Sequence, residues 1–476
     1  MNRLAAEQIY DSGKEPTVKK LLAMDKALRK LQKQVDRPTK NSTNSSKPPS
    51  SDIVKPHNRD LAATDNAAAK RKIGGQPGHP KYQRPLIPGN DISSFYEYQL
   101  ECCPDCFGLM LPRPGKDRIL QQIEFVETPV QKIQHKAYAY WCAHCGKFHY
   151  ADFPPPAVKA GLFKEHACAT ICFLKFVGAM SLSGIKKYCR DVLKTKVTKG
   201  YLAKVINKGM LAIRPAYEEL LKTLPDQLIL NVDETGHKEN GKLFWTWIFR
   251  APDFAAFVID KSRGSQVLIE VLGKEFKGVL GCDYFSAYRK YMGDFSVTLQ
   301  FCLAHLIRDV KYLCDRKEKI VSAHGNQLLG GIKELFKTIH DRDTLTPETF
   351  TAKLNASRQT IIAIATADAP DDKDCRNMAN RFLKHGNAYF QFITTPGIEP
   401  TNNIAEQALR FVVMYRHVSQ GTRSEKGRKA CECFWSVVAT CAIQGRSAFT
   451  FIKDAFIALF NTSPYPSLLP SPVSSP

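Results

Sequence analysis

The chain has 476 residues, 43% of them hydrophobic, which is too long for one ordinary domain and enough for at least one sizeable core. Its 68 Lys and Arg residues against 46 Asp and Glu residues give a net charge of +22, which indicates a polyanionic partner. Nucleic acid is favoured over a membrane because no apolar run approaches the length of a spanning helix. The start lacks the apolar core of a signal peptide and the 15 cysteines are scattered, so we expect a reducing cytoplasm.

Residues 1–37 predict a short helix or coiled coil. Apolar side chains recur at spacings of three and four, at Leu21, Met24, Leu28, Leu31 and Val35. Only about two heptads are present, so a self-associating helix and an amphipathic helix that packs on its own protein fit the pattern equally well.

Residues 38–92 predict a basic flexible linker or a DNA-binding arm. Asn, Ser, Pro, Gly and basic residues dominate this stretch, which cannot bury a core alone. Residues 1–90 carry 18 Lys and Arg against 8 Asp and Glu, so we expect much of the affinity for phosphates here. The cluster Lys70, Arg71 and Lys72 favours an arm that orders on DNA over a plain linker.

Residues 93–155 contain two CxxC pairs, formed by Cys103 and Cys106 and by Cys142 and Cys145. Each pair can place two thiolates on one face of a tight turn, and four thiolates form a closed tetrahedral zinc site. Cys102 and His144 could substitute as ligands. The pairs predict a zinc ribbon with one structural Zn²⁺. Four protein ligands leave no open position, so the site need not be catalytic.

Residues 156–223 predict helices. Two of their segments, 181–193 and 198–206, could form a helix-turn-helix motif that binds DNA. Many helical hairpins share this pattern, so generic helical packing is favoured over a helix that reads DNA.

Residues 224–310 predict the first part of an α/β core. Apolar runs predict strands at 228–233, 243–249 and 255–260, a helix around 265–272, and further strands at 278–283 and 298–302. Three strands, a helix and a fourth strand are the order of the ribonuclease H-like fold. In that fold the acids on the first and fourth strands, here Asp233 and Asp283, lie side by side.

The remaining chain predicts a helical insertion at 311–395, C-terminal core helices at 396–460 and a disordered tail at 461–476. Thr401 or Asn402 can cap a helix on which Glu406 and Arg410 share one face. The predicted fold class is therefore multidomain α/β: a ribonuclease H-like catalytic core with a helical insertion, preceded by a zinc ribbon and an N-terminal coiled-coil or helical segment.

Three carboxylates in this order suit metal-dependent phosphodiester chemistry. Cutting one strand and attacking another with the freed 3′-hydroxyl needs an activated oxygen nucleophile and a stabilised leaving oxygen, which two Mg²⁺ (or Mn²⁺) ions about 4 Å apart provide. Mg²⁺ prefers oxygen ligands, which Asp233, Asp283 and Glu406 supply. Taken singly, such acids are usually turn formers, caps or solvated residues, and only their joint order in the strand pattern favours catalysis.

At these residues the sequence resembles the IS66 family of bacterial insertion-sequence transposases, over nearly the whole chain. The motifs that carry the resemblance are the tracts at 44–52 and 74–79, the two CxxC pairs, and the segments 232–235, 282–288 and 402–406. The resemblance implies a DDE transposase whose catalytic carboxylates are Asp233, Asp283 and Glu406, with metal-dependent strand transfer as its activity.

The helix around Glu406 departs from the family pattern. Gln407 stands where members commonly carry a basic or small residue, and Val413 stands where many DDE enzymes carry Lys or Arg. Arg410 and Arg416 could bind the terminal phosphate instead.

The expected partner is double-stranded DNA, at the element ends and at the target, with a homo-oligomer assembled on it. The resemblance adds accessory proteins of the same element and a cytoplasmic, nucleoid-associated location in a bacterium. Two other functions stay open: a catalytically inactive or domesticated DNA-binding protein derived from a transposase, and a ribonuclease H-like nuclease that only hydrolyses. The three carboxylates weigh against the first, and the long segment between Asp283 and Glu406 weighs against the second.

Overall fold

The computed structural model describes residues 10–35, 85–95, 105, 120–121, 129–142, 147–367 and 369–469. The chain divides into two compact units. The larger comprises residues 1–57, 135–191 and 195–476, and the smaller comprises residues 58–134 and 192–194. In the smaller unit, the side-chain amide of Gln121 donates to the carbonyl of Ile87 at 3.0 Å and accepts from its backbone nitrogen at 2.7 Å.

The N-terminal segment forms one helix, α1 (Lys14–Val35). Leu21 and Leu28 of the predicted seam are more than half exposed, whereas Met24 is half-buried. Apolar side chains at this spacing therefore face solvent in the single chain, and self-association through them stays a prediction. Among the helices of the described ranges, none is long and apolar enough to cross a bilayer.

Two strands, β1 (Ala139–Cys142) and β2 (Lys147–Tyr150), form an antiparallel hairpin. Four helices follow: α2 (Pro155–Ala160), α3 (Glu165–Phe176), α4 (Leu182–Asp191) and α5 (Lys199–Thr223). At Gly209 of α5, an added Cβ would lie 2.7 Å from the Sγ of Cys172 on α3, so the two helices pack closely there. A DNA-reading role for α4 and α5 stays a prediction.

A five-stranded mixed sheet lies within the larger unit. Its strands are β3 (Ile229–Glu239), β4 (Lys242–Arg250), β5 (Ala255–Asp260), β6 (Val279–Cys282) and β7 (Thr298–Phe301). Their spatial order is β5-β4-β3-β6-β7, with β3 antiparallel to β4 and parallel to β6. Helices α6 (Ser265–Leu272) and α7 (Ser286–Phe295) precede β6 and β7. The apolar runs of the sequence predict this order of strands and helices.

The sheet holds buried apolar residues on both faces of its centre. All four residues of β6 are buried, which explains why that strand is a continuous apolar run rather than an alternating one. A tight turn at Asn240 and Gly241, both with positive φ (48° and 80°), joins β3 to β4.

Helices occupy the rest of the larger unit. After β7 come α8 (Leu303–Cys314), α9 (Lys319–His340), α10 (Pro347–Thr366), α11 (Lys373–His385) and the short α12 (Gln391–Thr394). The chain then forms α13 (Asn403–Ser419), which packs on β3, and ends with α14 (Glu425–Ile443) and α15 (Ala448–Asn461). The cysteines with described side chains are free, and all except Cys314 are buried.

Helix α14 covers the outer edge of the sheet. Side chains four residues apart on α14 accept hydrogen bonds from alternate backbone nitrogens of β5, in the pairs Glu432 with Ile259 (2.7 Å), Ser436 with Phe257 (2.9 Å) and Thr440 with Ala255 (3.1 Å). Four helical residues rise about 6 Å, close to the rise of two strand residues, so the two spacings match. The edge amides are thereby satisfied and cannot pair with another chain.

The predicted disordered tail at 461–476 is wrong for its first part. Asn461 ends α15, Leu468 is fully buried, and the carbonyl of Leu468 accepts from Gln444 at 2.7 Å. The hydroxyl of Ser467 also donates to Glu219 at 2.6 Å. One apolar side chain and these polar contacts anchor a segment whose Pro and Ser content indicates disorder. Residues 470–476 lie outside the described ranges.

Candidate active site

Asp233 and Asp283 lie next to each other because their strands are parallel neighbours. The register pairs Asn231 of β3 with Gly281 of β6, and each aspartate lies two residues further along its own chain. Asp283 directly follows β6, where its Oδ1 accepts from the backbone nitrogen of Phe285 at 2.8 Å. The sequence predicted this juxtaposition from two apolar runs that each close on an aspartate.

Asp233 and Asp283 lie in a cluster of acids in which the pKa of both is raised. Burial raises the pKa of Asp283 to about 7, and the neighbouring Glu234 adds to the increase. The pKa of Asp233 is raised well above its usual value by burial, then by Glu234, Asp283 and Glu406. Carboxyl groups in such a cluster retain protons unless a positive charge enters it.

Glu406 enters the cluster from the first turn of α13, and Asn402 fixes where that helix starts. The Asn402 side chain accepts from the Asn231 amide at 2.8 Å and donates to the carbonyl of Val232 at 2.8 Å. Its backbone nitrogen donates to the Sγ of Cys302 at 3.2 Å. Asn231 and Asp233 share a face of β3. We call the hydrogen bonds of Asn402 with Asn231 and Val232 the clamp, because they hold the start of α13 against β3 near the aspartates.

A glycine makes room for the clamp. A Cβ at Gly281 would lie 2.4 Å from the side-chain nitrogen of Asn231, which is too close for any real contact. The missing side chain on β6 therefore lets Asn231 lie across the neighbouring strand and reach Asn402.

Two side chains of α8 lie close to the carboxylate of Glu406. The Nδ1 of His305 lies 3.5 Å from one carboxylate oxygen and the Nη2 of Arg308 lies 3.8 Å from the other. Burial, followed by the charge of Arg308, lowers the pKa of His305, so the imidazole is neutral near pH 7. Among the described residues, neither this Nδ1 nor the Oε1 of Glu406 has a hydrogen-bond partner.

Cys302, His305 and Glu406 also form a group whose potential ligand atoms lie within 4.8 Å of one another. A thiol binds metal only as a thiolate, and burial raises the pKa of Cys302, whose sulfur already accepts from Asn402. The oxygen donors of Asp233, Asp283 and Glu406 therefore suit a hard cation better, although among the described residues the potential ligand atoms of Glu406 come within 4.8 Å of those of Cys302 and His305, and Glu406 forms no such group with the two aspartates. His305 and Arg308 were not predicted as site residues; the available signal is their position in the first two turns of the helix that follows the fifth strand.

Glu234 follows Asp233 on β3, so its side chain lies on the opposite face of that strand. Its carboxylate lies 2.7 Å from Arg263 and accepts from the hydroxyl of Tyr288 at 2.5 Å. The Arg263 guanidinium in turn lies over the rings of Trp245 and Phe285. This acid is thus paired and hydrogen-bonded on the α7 side of the sheet.

The predicted DNA-binding residues are not brought together. Arg410 is exposed on α13, one turn after Glu406. The Nη1 of Arg416 donates to the carbonyl of Gly236 and, at 3.3 Å, to the hydroxyl of Thr235. Arg416 is therefore bound to β3. Lys70, Arg71 and Lys72 lie outside the described residues.

The predicted zinc ligands are only partly described. Strand β1 ends at Cys142, and β2 begins at Lys147. The side chain of Cys142 and the residues Cys103, Cys106 and Cys145 fall outside what the structure describes.

Comparisons with known proteins match most of the chain. The family described as "Transposase IS66 family" matches residues 160–430, the zinc-finger binding domain of transposase IS66 matches 101–146, and a family of unknown function matches 7–85. No curated protein matches. A solved structure of the HTLV-2 integrase catalytic core domain in complex with magnesium is 13% identical, with 33% of this chain and 96% of that chain covered and a TM-score of 0.13.

Proposed function

The chain belongs to the IS66 family of transposases, and we propose that it cuts the ends of its element and joins them to target DNA by DDE chemistry. The observation that carries the proposal is the position of three acids on a ribonuclease H-like order of strands. Asp233 lies on β3, Asp283 directly follows the adjacent parallel strand β6, and Asn402 holds the start of the helix of Glu406 against β3.

The carboxylates fit two Mg²⁺ or Mn²⁺ ions. They offer oxygen donors, burial and nearby acids raise the pKa of both Asp233 and Asp283, and one oxygen of Glu406 has no hydrogen-bond partner in the described part of the chain. Asp233, Asp283 and Glu406 would hold the ions, which supply activation of the attacking oxygen and stabilisation of the leaving oxygen.

The chain's own residues orient these ligands. Asn402 and Asn231 set the height of Glu406, and the backbone nitrogen of Phe285 holds one oxygen of Asp283, which leaves its other oxygen for the metal. Arg308 is about one third exposed beside Glu406 and is placed to contact a phosphate oxygen of the incoming DNA.

DNA binding is proposed to involve the front of the chain as well as α13. The zinc-finger match supports one structural Zn²⁺ at Cys103, Cys106, Cys142 and Cys145, and metal analysis of reduced protein should find about one zinc per chain. Lys70, Arg71 and Lys72 are proposed to contact phosphates, and removal of residues 1–90 should flatten the salt dependence of duplex binding. Arg410 and Arg416 are proposed contacts for the DNA end.

The proposed assembly is a homo-oligomer on double-stranded DNA, in a bacterial cytoplasm and close to the nucleoid. Accessory proteins of the same element are proposed partners. Size-exclusion chromatography of the protein with and without element-end DNA would test the assembly, since a complex with one chain per duplex would contradict it.

One reaction separates the candidate functions. The full chain is incubated with labelled element ends, a supercoiled plasmid and Mg²⁺, with Asp233→Asn as the matched control. We expect cleaved ends and products joined to the plasmid from the wild-type chain only. Cleavage without joining would identify a nuclease, and binding without either product would identify a catalytically silent DNA-binding protein.

A further inference from the structure

A cavity of about 460 Å³ lies directly beside the candidate active site. The residue after Asp283, Tyr284, forms part of its wall, and α7, α8 and α11 supply the rest. We name it the basic cavity and define it by its principal lining residues, Tyr284, Arg289, Asp309, Asp374, Arg381 and Lys384.

The basic cavity carries an excess of positive charge. Its two acids are already paired, Asp309 with Arg381 at 2.7 Å and Asp374 with Arg316 at 2.6 Å. Arg289 and Lys384 have no ion pair with any residue that the structure describes. The lining therefore offers two cations that a bound anion could neutralise.

Two guanidinium groups present unused donors. The side chain of Arg381 is 9% exposed, and its Nη2 has no hydrogen-bond partner in the described ranges. The Nε of Arg289 is also buried and without a partner there. Buried N–H groups that lack acceptors are costly, so their persistence in a cavity points to an acceptor that arrives from outside.

Tyr284 brings the two guanidinium groups together. Arg381 lies 3.8 Å and Arg289 lies 4.4 Å from the centre of its ring. Tyr389 and Asp309 anchor Arg381 through its Nε and Nη1, so its remaining nitrogen is held in place. Burial, then the charges of Arg289, Lys384 and Arg381, lower the pKa of His385 on the same wall, which agrees with a concentration of positive charge.

We propose that the basic cavity binds a phosphate group of the DNA backbone next to the bond that is cut. The inference rests on the proposed function, because a DNA strand that is cut at Asp283 would lie beside Tyr284 and the cavity that this residue lines. Arginine suits this ligand because its planar N–H donors match the oxygens of a phosphate. Arg381 is already held through two of its nitrogens, so its third needs no reorientation to bind. A phosphate held there would fix the position of the strand relative to Asp233, Asp283 and Glu406.

The test uses the full chain and two single variants, Arg289→Gln and Lys384→Gln. The matched control is Lys373→Gln, which removes the same charge from an exposed position on α11 outside the cavity. Binding of a labelled duplex is measured by fluorescence anisotropy over a range of salt concentrations without divalent metal. Each cavity variant should lower the slope of log K against log salt by about 1, and the control should not.

Inorganic phosphate distinguishes a DNA phosphate from a free anion. Phosphate that raises the melting temperature of the wild type but not of Arg289→Gln, with unchanged DNA slopes, would overturn the DNA assignment in favour of a free ligand. Unchanged slopes with no thermal shift would overturn the proposal altogether. Altered slopes in a protein whose wild type joins no DNA would leave the basic cavity standing and contradict the proposed function.

Discussion

Asp233 and Glu234 are neighbours on β3 whose side chains lie on opposite faces of the strand and have different surroundings. On one face Glu234 has Arg263 at 2.7 Å and the Tyr288 hydroxyl at 2.5 Å. On the other face burial and nearby acids raise the pKa of Asp233. Glu234 is thus compensated by an arginine and a hydroxyl of the chain, whereas the charged groups that act most on Asp233 are other acids. Burial alone does not mark a functional acid; burial without a compensating partner does.

The largest expected effect is on catalysis by the unpaired acids. Asp233→Ala, Asp283→Ala and Glu406→Ala should each reduce strand transfer at least about a thousandfold, because each loss deprives a metal ion of a ligand. DNA binding should remain nearly unchanged, since phosphate contacts come from Lys and Arg elsewhere. Product joining and duplex affinity are measured on the same preparations.

The exposed Glu399 provides the control for these variants. Glu399→Ala should retain full strand transfer. Full activity in all three alanine variants would refute DDE chemistry, and full activity in Glu406→Ala alone would show that the third ligand is misassigned.

A smaller effect is expected from the clamp on the same face. Asn402→Ala removes the hydrogen bonds to Asn231 and Val232 and frees the start of α13. Misplacement of Glu406 by about 1 Å should lower the rate of strand transfer on the order of a hundredfold. Added Mg²⁺ should partly restore the rate, which a purely unfolded variant would not show.

The neighbouring exposed residue makes a matched comparison, because Asn403→Ala is the same substitution one position later. It should behave like the wild type. Equal rates for Asn402→Ala and the wild type would show that the clamp does not position Glu406.

The sequence predicted the sheet and the aspartates because their signals are local. Each apolar run that ends on an aspartate lies within a few residues, and the alternation of strands and helices sets the order of the sheet. The predicted fifth strand, at 298–302, matches β7 closely. The prediction of a disordered tail was wrong because it used only local composition, which does not show that Leu468 is buried in the folded chain.

The clamp and the basic cavity could not be predicted because their parts are distant in sequence. Asn231 and Asn402 are 171 residues apart, and Arg381 reaches Asp309 across 72. Neither pair leaves a pattern in a single sequence, since nothing local constrains which Asn or Arg will meet. Even Glu234, adjacent to Asp233, shows its structural role only through Arg263 and Tyr288.

The paired acid should affect stability rather than chemistry. Glu234→Ala removes a buried ion pair and the acceptor of the Tyr288 hydroxyl. The side chain of Arg263 is 39% exposed and can regain water, so the loss of unfolding free energy should be at the low end for buried pairs, about 3 kcal/mol. Urea unfolding measures it, with the exposed Glu275→Ala as control. A stable variant that had lost strand transfer would place Glu234 among the catalytic acids instead.

The smallest expected effect is a pH dependence of the unfolding free energy that comes from Asp283, beside Asp233. The pKa of Asp283 is raised from 3.8 to about 7, chiefly by burial, so the folded protein holds this proton more tightly than the unfolded chain. The stability that the protonated carboxyl contributes is therefore complete below pH 3.8 and is lost as the pH rises through about 7. Between pH 6 and pH 8 the metal-free protein should lose about 1 kcal/mol of unfolding free energy from this group.

Denaturant unfolding in EDTA measures the loss, and Asp283→Asn should reduce it because the amide does not titrate. Mg²⁺ should also reduce it, since the ion stabilises the ionised carboxylate that burial disfavours. An equal loss in Asp283→Asn and the wild type would assign the pH dependence to other groups and remove the contrast between the two faces of β3.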